Sequence, residues 1–200
     1  PIDFIHYSNL SSHLQNFNSL ITEVTKELYN VDITWEPYNK TTVGGSQSKS
    51  KLFIKPQKKI QILKSIIIAE IESYYSKFKN ETCSFIKKWP SKYDLVAWHV
   101  ILKKQGYQIE HIHPGGWLSG VIYLKVVPNF KKNEGAIEFS LNGEHYYDAN
   151  SPKVMYPPKI GDIVLFPSSL HHRTIPFSAD TDRISIAFDL VPNLETNYRA

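Results

Sequence analysis

Four of the eight histidines fall in two tight groups, His111 with His113 and His171 with His172. Residues i and i+2 of a strand point to the same face. His111 and His113 can therefore present both imidazoles to one point inside a barrel. One further ring from the second group would complete three protein ligands and leave other positions open, which is what a reactive metal needs. Neighbouring strand residues face opposite ways, so one of His171 and His172 is expected to join, and spacing alone leaves open which. A lone His-x-His pair is more often an ordinary hydrogen-bonded pair; the second group is what raises the metal reading above that. Arg183 and Ser185 are again i and i+2. A guanidinium grips a carboxylate through two hydrogen bonds and a hydroxyl can add a third, although Arg183 alone reads equally as a surface partner of Asp180 or Asp182. Glu110 adjoins the first group, but strand alternation directs it away.

The elements that must position these groups change character near Tyr93. Before it, the pattern is helical. Leu14, Phe17, Leu20, Ile21, Val24 and Leu28 form an amphipathic stripe over Leu10 to Leu28, with Ser11 and Ser12 where an N-cap would sit. A second stripe, Ile60, Leu63, Ile66, Ile67, Ile71 and Tyr74, predicts a helix from Pro56 to Phe78, with a proline suited to its first turn. A short helical piece follows at Thr82 to Lys88. The Thr-, Gly-, Ser- and Lys-rich stretch Asn39 to Ser50 has no periodicity and reads as a flexible loop. After Tyr93 the period falls toward two, with strands expected at 95–100, 110–113, 118–126, 136–140, 163–166, 173–177 and 183–190. Turn signals such as Pro114-Gly115-Gly116 and Gly161-Asp162 separate them. Helices first and strands after argue for an α+β fold with helices packed on a β-sandwich.

Two hundred residues, 42% hydrophobic and 13% aromatic, are enough for one hydrophobic core and exclude a disordered chain. The reading is a single domain over 1–200: helical support at 1–92, a metal-binding barrel at 93–192 and a tail at 193–200. The net charge of +4 and the lysine clusters at 49–59, 87–88 and 103–104 read as solvated faces. No recognition motif accompanies them, so nucleic acid is not an expected partner. Cys83 stands alone, which excludes an internal disulfide and a thiolate metal site. It reads as a small buried residue on a helix, in a reducing, cytoplasmic or otherwise intracellular setting. No apolar run approaches the roughly 18 residues of a membrane span. The chain begins at Pro1, so it is read as a processed or excised piece of something longer.

The motifs HIHPGGWLSGVIYL (111–124), GAIEF (135–139), PPKIGDIVLFPSSLHHRTIPF (157–177) and DRISIAFDLVP (182–192) stand in an order that resembles the 2-oxoglutarate-Fe(II) oxygenase superfamily. The resemblance runs from Trp98 to Pro192, about half the chain. It is nearest to a branch with a His-x-His-Pro opening, found in phage proteins or after tetratricopeptide repeats. It implies a distorted double-stranded β-helix, or jelly roll, with N-terminal helices packed against it, and it implies Fe(II), 2-oxoglutarate and O2 as cofactor and cosubstrates. By the same resemblance His111 matches the first metal ligand and His172 the distal one, with His171 as the fallback. Arg183, with Ser185 beside it, matches the group that binds the far carboxylate of 2-oxoglutarate, and Tyr123 a cosubstrate-contacting tyrosine. Most of the superfamily has Asp or Glu where this chain has His113, which leaves one more positive charge at the site and should alter metal affinity.

The activity implied is hydroxylation of a C–H bond in a small-molecule or peptide substrate, with release of succinate and CO2. Residues 39–50, 130–133 and 142–151 are candidate substrate rims. Two rival readings stand beside it. A three-histidine metal dioxygenase of cupin type would not turn over 2-oxoglutarate, and a non-catalytic jelly roll would not hold stoichiometric iron.

Overall fold

The computed structural model describes residues 1–128, 131–143 and 146–193. The elements in chain order are β1 (His6–Asn9), α1 (Phe17–Leu28), β2 (Ile33–Trp35), β3 (Thr42–Ser48), α2 (Lys58–Phe78), α3 (Ser84–Lys87), β4 (Tyr93–Gln108), β5 (Leu118–Lys125), β6 (Ile137–Ser140), β7 (Lys153–Tyr156), β8 (Asp162–Pro167), β9 (His171–Thr174) and β10 (Arg183–Pro192). Seven strands form a major sheet in the order β1-β8-β5-β10-β4-β3-β2, and three form a minor sheet in the order β7-β6-β9. The named strand pairs are antiparallel. The α+β expectation holds, and the two facing sheets form the double-stranded β-helix.

Period two sorts the major sheet into a helix side and a cavity side. On β10, Ile184, Ile186, Phe188 and Leu190 join one core cluster with Leu20, Val24, Leu63 and Ile67 of the two long helices. Arg183, Ser185, Ala187 and Asp189 are the alternate set, on the face toward the minor sheet. On β5 the same rule sends Leu118, Ile122 and Leu124 to the helices and Val121 and Tyr123 to the second cluster, with Phe139 and Phe166. The helices thus hold one face of the sheet rigid while the other face carries chemistry.

Helix α2 begins two residues later than its stripe suggested and buries Ile60, Leu63, Ile67, Ile71 and Tyr74 as expected. Its first turn is capped from outside. The Glu27 carboxylate on α1 accepts hydrogen bonds from the backbone N–H of Lys59 (2.9 Å) and Ile60 (2.9 Å). This places an anion at the positive end of the helix dipole and locks α1 to α2. Buried Glu70 on α2 accepts from Ser8 Oγ at 2.6 Å and contacts His13, which ties the N-terminal segment to the same helix.

Several expectations are corrected. Helix α1 starts at Phe17, not Leu10; Leu10–Ser12 is a 3-10 turn, Asn16 is the N-cap residue, and Leu14 is exposed. The stretch 39–50 is not a flexible loop, because 42–48 form β3 and pair with β4. Residues 110–113 are not a regular strand; His111 makes an isolated bridge to His172. Strand β9 spans His171–Thr174 instead of 173–177, and β1, β2 and β7 carried no legible alternation. Cys83 is exposed at the N-cap of α3 rather than buried in a helix. The expected tail at 193–200 lies outside the described residues beyond Asn193.

Gly120 shows how tightly the helix side of β5 is packed. A Cβ built there would lie 2.2 Å from Phe188 Cζ and 2.7 Å from Leu165 Cδ2. Phe188 is fully buried and cannot swing out. Overpacking a formed core costs about 1–3 kcal/mol. Gly120→Ala is therefore expected to lower the unfolding free energy by that amount, read as a lower urea midpoint at unchanged m-value; a midpoint equal to wild type would show that Phe188 can move.

Candidate metal centre

Two chain segments bring the rings together: the stretch between β4 and β5 carries His111 and His113, and β9 carries His172. The backbones of His111 and His172 exchange two hydrogen bonds, each 3.0 Å, which fixes their side chains as a cross-strand pair. The backbone N–H of His113 donates to Ser168 O at 2.9 Å, anchoring the turn after it to the end of β8. The ring centroids of His111 and His172 lie 4.3 Å apart, and that of His113 lies 5.1 and 5.0 Å from the other two. One nitrogen from each ring falls within 4.8 Å of the others. His172, not His171, is the member of the second group that converges. His171 faces the other way, with Nε2 2.9 Å from the position a Cβ on Gly143 would take.

The donor set fits a divalent metal. Each Nδ1 has an oxygen acceptor: Ile109 O for His111 (2.6 Å), Leu170 O for His172 (3.0 Å) and Asp189 Oδ1 for His113 (2.6 Å). With the protons held at Nδ1, the three Nε2 lone pairs are left free. The Nε2 atoms of His111 and His113 are 3.2 Å apart. Two lone pairs facing at that distance repel unless a cation lies between them. Two nitrogens each about 2.1 Å from a shared ion would stand about 3 Å apart at ordinary coordination angles. Burial pushes the His111 ring down to about 4, helped by the neighbouring His113, and holds His172 well below the ordinary imidazole value. Neutral imidazole is the form that binds metal.

Beyond the rings the barrel holds a buried cation. Arg183 is 2% exposed; its Nε donates to Gly135 O at 3.1 Å, and its guanidinium lies 4.9 Å from the Tyr123 ring centroid. Gly135 can offer that carbonyl because its backbone sits at φ +70, where a side chain is strained. Among the described residues no carboxylate pairs with Arg183. Among the described residues the buried Tyr123 hydroxyl finds no acceptor, and burial raises it to about 12, so it remains a donor. Ser185 lies on the same face of β10, 2% exposed. The inner chamber lined by Tyr123, Arg183, Ser185 and His172 is narrow, about 30 Å³.

An outer cavity of about 320 Å³ opens in front of His111 and His113. Asn39, Lys40, Thr41, Gln47 and Ser50 line it, so the segment 39–50 does border the site, as a strand and its approach. None of the described residues of 131–133 and 142–151 does, and Phe130 lies outside the described residues. Glu110 contributes nothing to the cluster, as alternation suggested. Trp98 and Gln108 line both chambers and were missed in the sequence, as was Asp189. The signal for Asp189 was present: it continues the inward series Arg183, Ser185, Ala187 and is a charge flanked by Phe188 and Leu190.

A second buried histidine lies across the sheet. His99 is 1% exposed on the helix side, its Nδ1 has no partner, and burial lowers it to about 4. The unfolded chain therefore takes up protons below pH 6.5 that the folded chain refuses. Stability falls as pH drops from 6.5 to about 4 and levels off below that. His99 contributes on the order of 3 kcal/mol at the bottom of that window. Urea unfolding of metal-free protein at about pH 7 and about pH 4.5 should show the loss, and His99→Leu should make it smaller. An equal loss in both proteins would clear His99 of the effect.

An antiparallel jelly roll with such a cluster at its mouth belongs to a known class of metal-binding barrels. Residues 96–189 match the family described as "Putative 2OG-Fe(II) oxygenase". No curated protein matches the chain. A prolyl-4-hydroxylase of Pseudomonas putida is similar in structure at 12% identity and a TM-score of 0.62, with 94% of this chain and 92% of that one covered. A prolyl hydroxylase of Trichoplax adhaerens, solved with a hypoxia inducible factor peptide fragment, is similar at 15% identity and 0.64, over 94% and 83%. HygX of Streptomyces hygroscopicus, solved with nickel and 2-oxoglutarate, is similar at 11% and 0.59, over 88% and 80%. At such identities the structures speak for the fold. The family match covers the barrel, just under half of the chain, and the structures add that its fold is shared.

Proposed function

We propose that the protein is an Fe(II)- and 2-oxoglutarate-dependent hydroxylase in which His111, His113 and His172 hold the metal and Arg183, Ser185 and Tyr123 hold the far carboxylate of the cosubstrate. The observation that carries this is the pairing, in one barrel, of a convergent imidazole cluster with a buried guanidinium that has no carboxylate partner among the described residues. When bound, iron and 2-oxoglutarate supply oxidising power from O2: one oxygen atom leaves in succinate, with CO2 released, and the other enters a substrate C–H bond.

The protein's own part is placement and shelter. Arg183 and the unpartnered Tyr123 hydroxyl offer charge-assisted hydrogen bonds to one end of a dicarboxylate. Backbone carbonyls and Asp189 hold each ring by Nδ1 so that Nε2 faces inward. The inner chamber and the outer cavity share Trp98, Gln108, His111 and His113 in their walls. The outer cavity has the size of a small-ligand site. Its amide and hydroxyl groups, on Asn39, Thr41, Gln47, Ser50 and Gln108, suit a polar small molecule or the side chain of a peptide.

Anaerobic addition of Fe(II) and 2-oxoglutarate should produce a visible charge-transfer absorption, and aerobic incubation should form succinate. Folded, iron-loaded protein that does neither would overturn the reading. The third imidazole favours one alternative, a metal dioxygenase that ignores 2-oxoglutarate. Substrate oxidation without succinate would select it.

A further inference from the structure

Three neutral imidazoles bring no negative charge to a buried dication. Against the cluster, among the described residues, one carboxylate is hydrogen-bonded to a ring. Asp189 on β10 accepts from His113 Nδ1 at 2.6 Å, its side chain 11% exposed and that of His113 12%. The same oxygen accepts from Ser119 Oγ at 2.6 Å, and Ser119 is 2.8 Å from Ser168 Oγ. Asp189 and Ser119 are direct cross-strand partners on β10 and β5, and Ser168 follows β8, so three neighbouring strands fix one oxygen. The turn over this network packs on it at Gly116, where a Cβ would lie 2.5 Å from Ser168 Oγ and displace that hydroxyl.

Burying a carboxylate in the middle of a strand is costly, and an apolar residue would serve packing better. A ring that binds metal through one nitrogen and gives its other N–H to a carboxylate is a stronger ligand, with its orientation and tautomer fixed.

We propose that Asp189 is a positioning residue for His113: it fixes that ring with Nε2 toward the metal and supplies, through it, the negative charge that the three ligands lack. This rests on the metal-centre reading above.

Co(II) binding to the protein without cosubstrate tests it, followed by calorimetry and by the visible spectrum of the bound ion. Asp189→Asn keeps the shape and removes the charge. It should weaken Co(II) binding about tenfold to a hundredfold, the usual effect of losing such a partner, with far-UV circular dichroism and metal-free melting temperature retained. In a His113→Ala background the same substitution should change Co(II) binding no further. Wild-type affinity in Asp189→Asn, or an undiminished effect in the His113→Ala background, overturns this inference alone. A wild-type protein that takes up no Co(II) overturns the metal centre with it. A readout without any variant is the nitrogen NMR spectrum of Zn(II)-loaded wild type. His113 should be metal-bound at Nε2 and protonated at Nδ1; metal at Nδ1 overturns the proposal.

Discussion

His172→Ala is expected to abolish metal loading while His171→Ala, one residue away, leaves it near wild type. The contrast follows from β9, where adjacent side chains face opposite ways. The His172 ring is buried in the cluster, and that of His171 turns toward Gly143. Removing a direct ligand should cost more than the roughly hundredfold ceiling typical of a lost supporting hydrogen bond. Metal affinity in His172→Ala should therefore fall by more than about a hundredfold. Succinate formation should fall with it. The fold should survive, since the bridge between residues 111 and 172 is made by backbone atoms. A truncated ring beside Phe139 and Phe166 leaves a cavity, so the variant should melt lower by a few degrees, which the thermal unfolding curve records separately from metal content. Equal metal loss in both variants would mean that the pair acts through the stability of β9 and not through coordination.

The histidines and Arg183 were legible because chemistry at a strand surface obeys a period of two, and Arg183, Ser185, Ala187 and Asp189 line one face of β10 for that reason. The helices were legible because Ile60, Leu63, Ile67, Ile71 and Tyr74 recur at helical spacing and are all buried. Strand β3 was not legible, and its residues show why. Thr42–Ser48 reads TVGGSQS, with low intrinsic strand preference. It is a strand because β4 lies against it so closely that a Cβ on Gly45 would come 2.5 Å from Ile101 O. That is a tertiary fact, invisible in a local window. His111 and His113 do converge with His172, but not by the strand geometry that their spacing suggested. They do not sit on a regular strand; a backbone bridge to His172 and a hydrogen bond to Ser168 hold them, and neither partner is near in sequence. Asp189 was overlooked because its inward series on β10 runs through Ala187, whose apolar side chain hides the period that leads from Arg183 and Ser185 to it.

Arg183→Met is expected to separate binding from folding. The guanidinium is buried, and burial lowers its affinity for its proton. Among the described residues it meets the Gly135 carbonyl and Tyr123, and no carboxylate. A buried charge without a counterion costs several kcal/mol, so the ligand-free barrel bears a penalty that a bound dicarboxylate would relieve. Methionine keeps much of the side-chain volume, removes the charge and leaves Gly135 O without this donor. The metal-free, ligand-free variant should therefore melt at or above the wild-type temperature, the trade between stability and function seen at sites built for a ligand. Affinity for 2-oxoglutarate should fall by about thirtyfold or more, as when one partner of a buried charge pair is removed at a cost of about 2–5 kcal/mol. Co(II) binding should remain near wild type, because Arg183 touches none of the three rings directly. Thermal unfolding, calorimetry with 2-oxoglutarate and metal titration report these three outcomes independently. A marked loss of ligand-free stability with 2-oxoglutarate affinity unchanged would make Arg183 a structural strut. Parallel loss of metal and cosubstrate would mean that the two halves of the site are one packing unit, and not two adjoining binding surfaces on a shared strand.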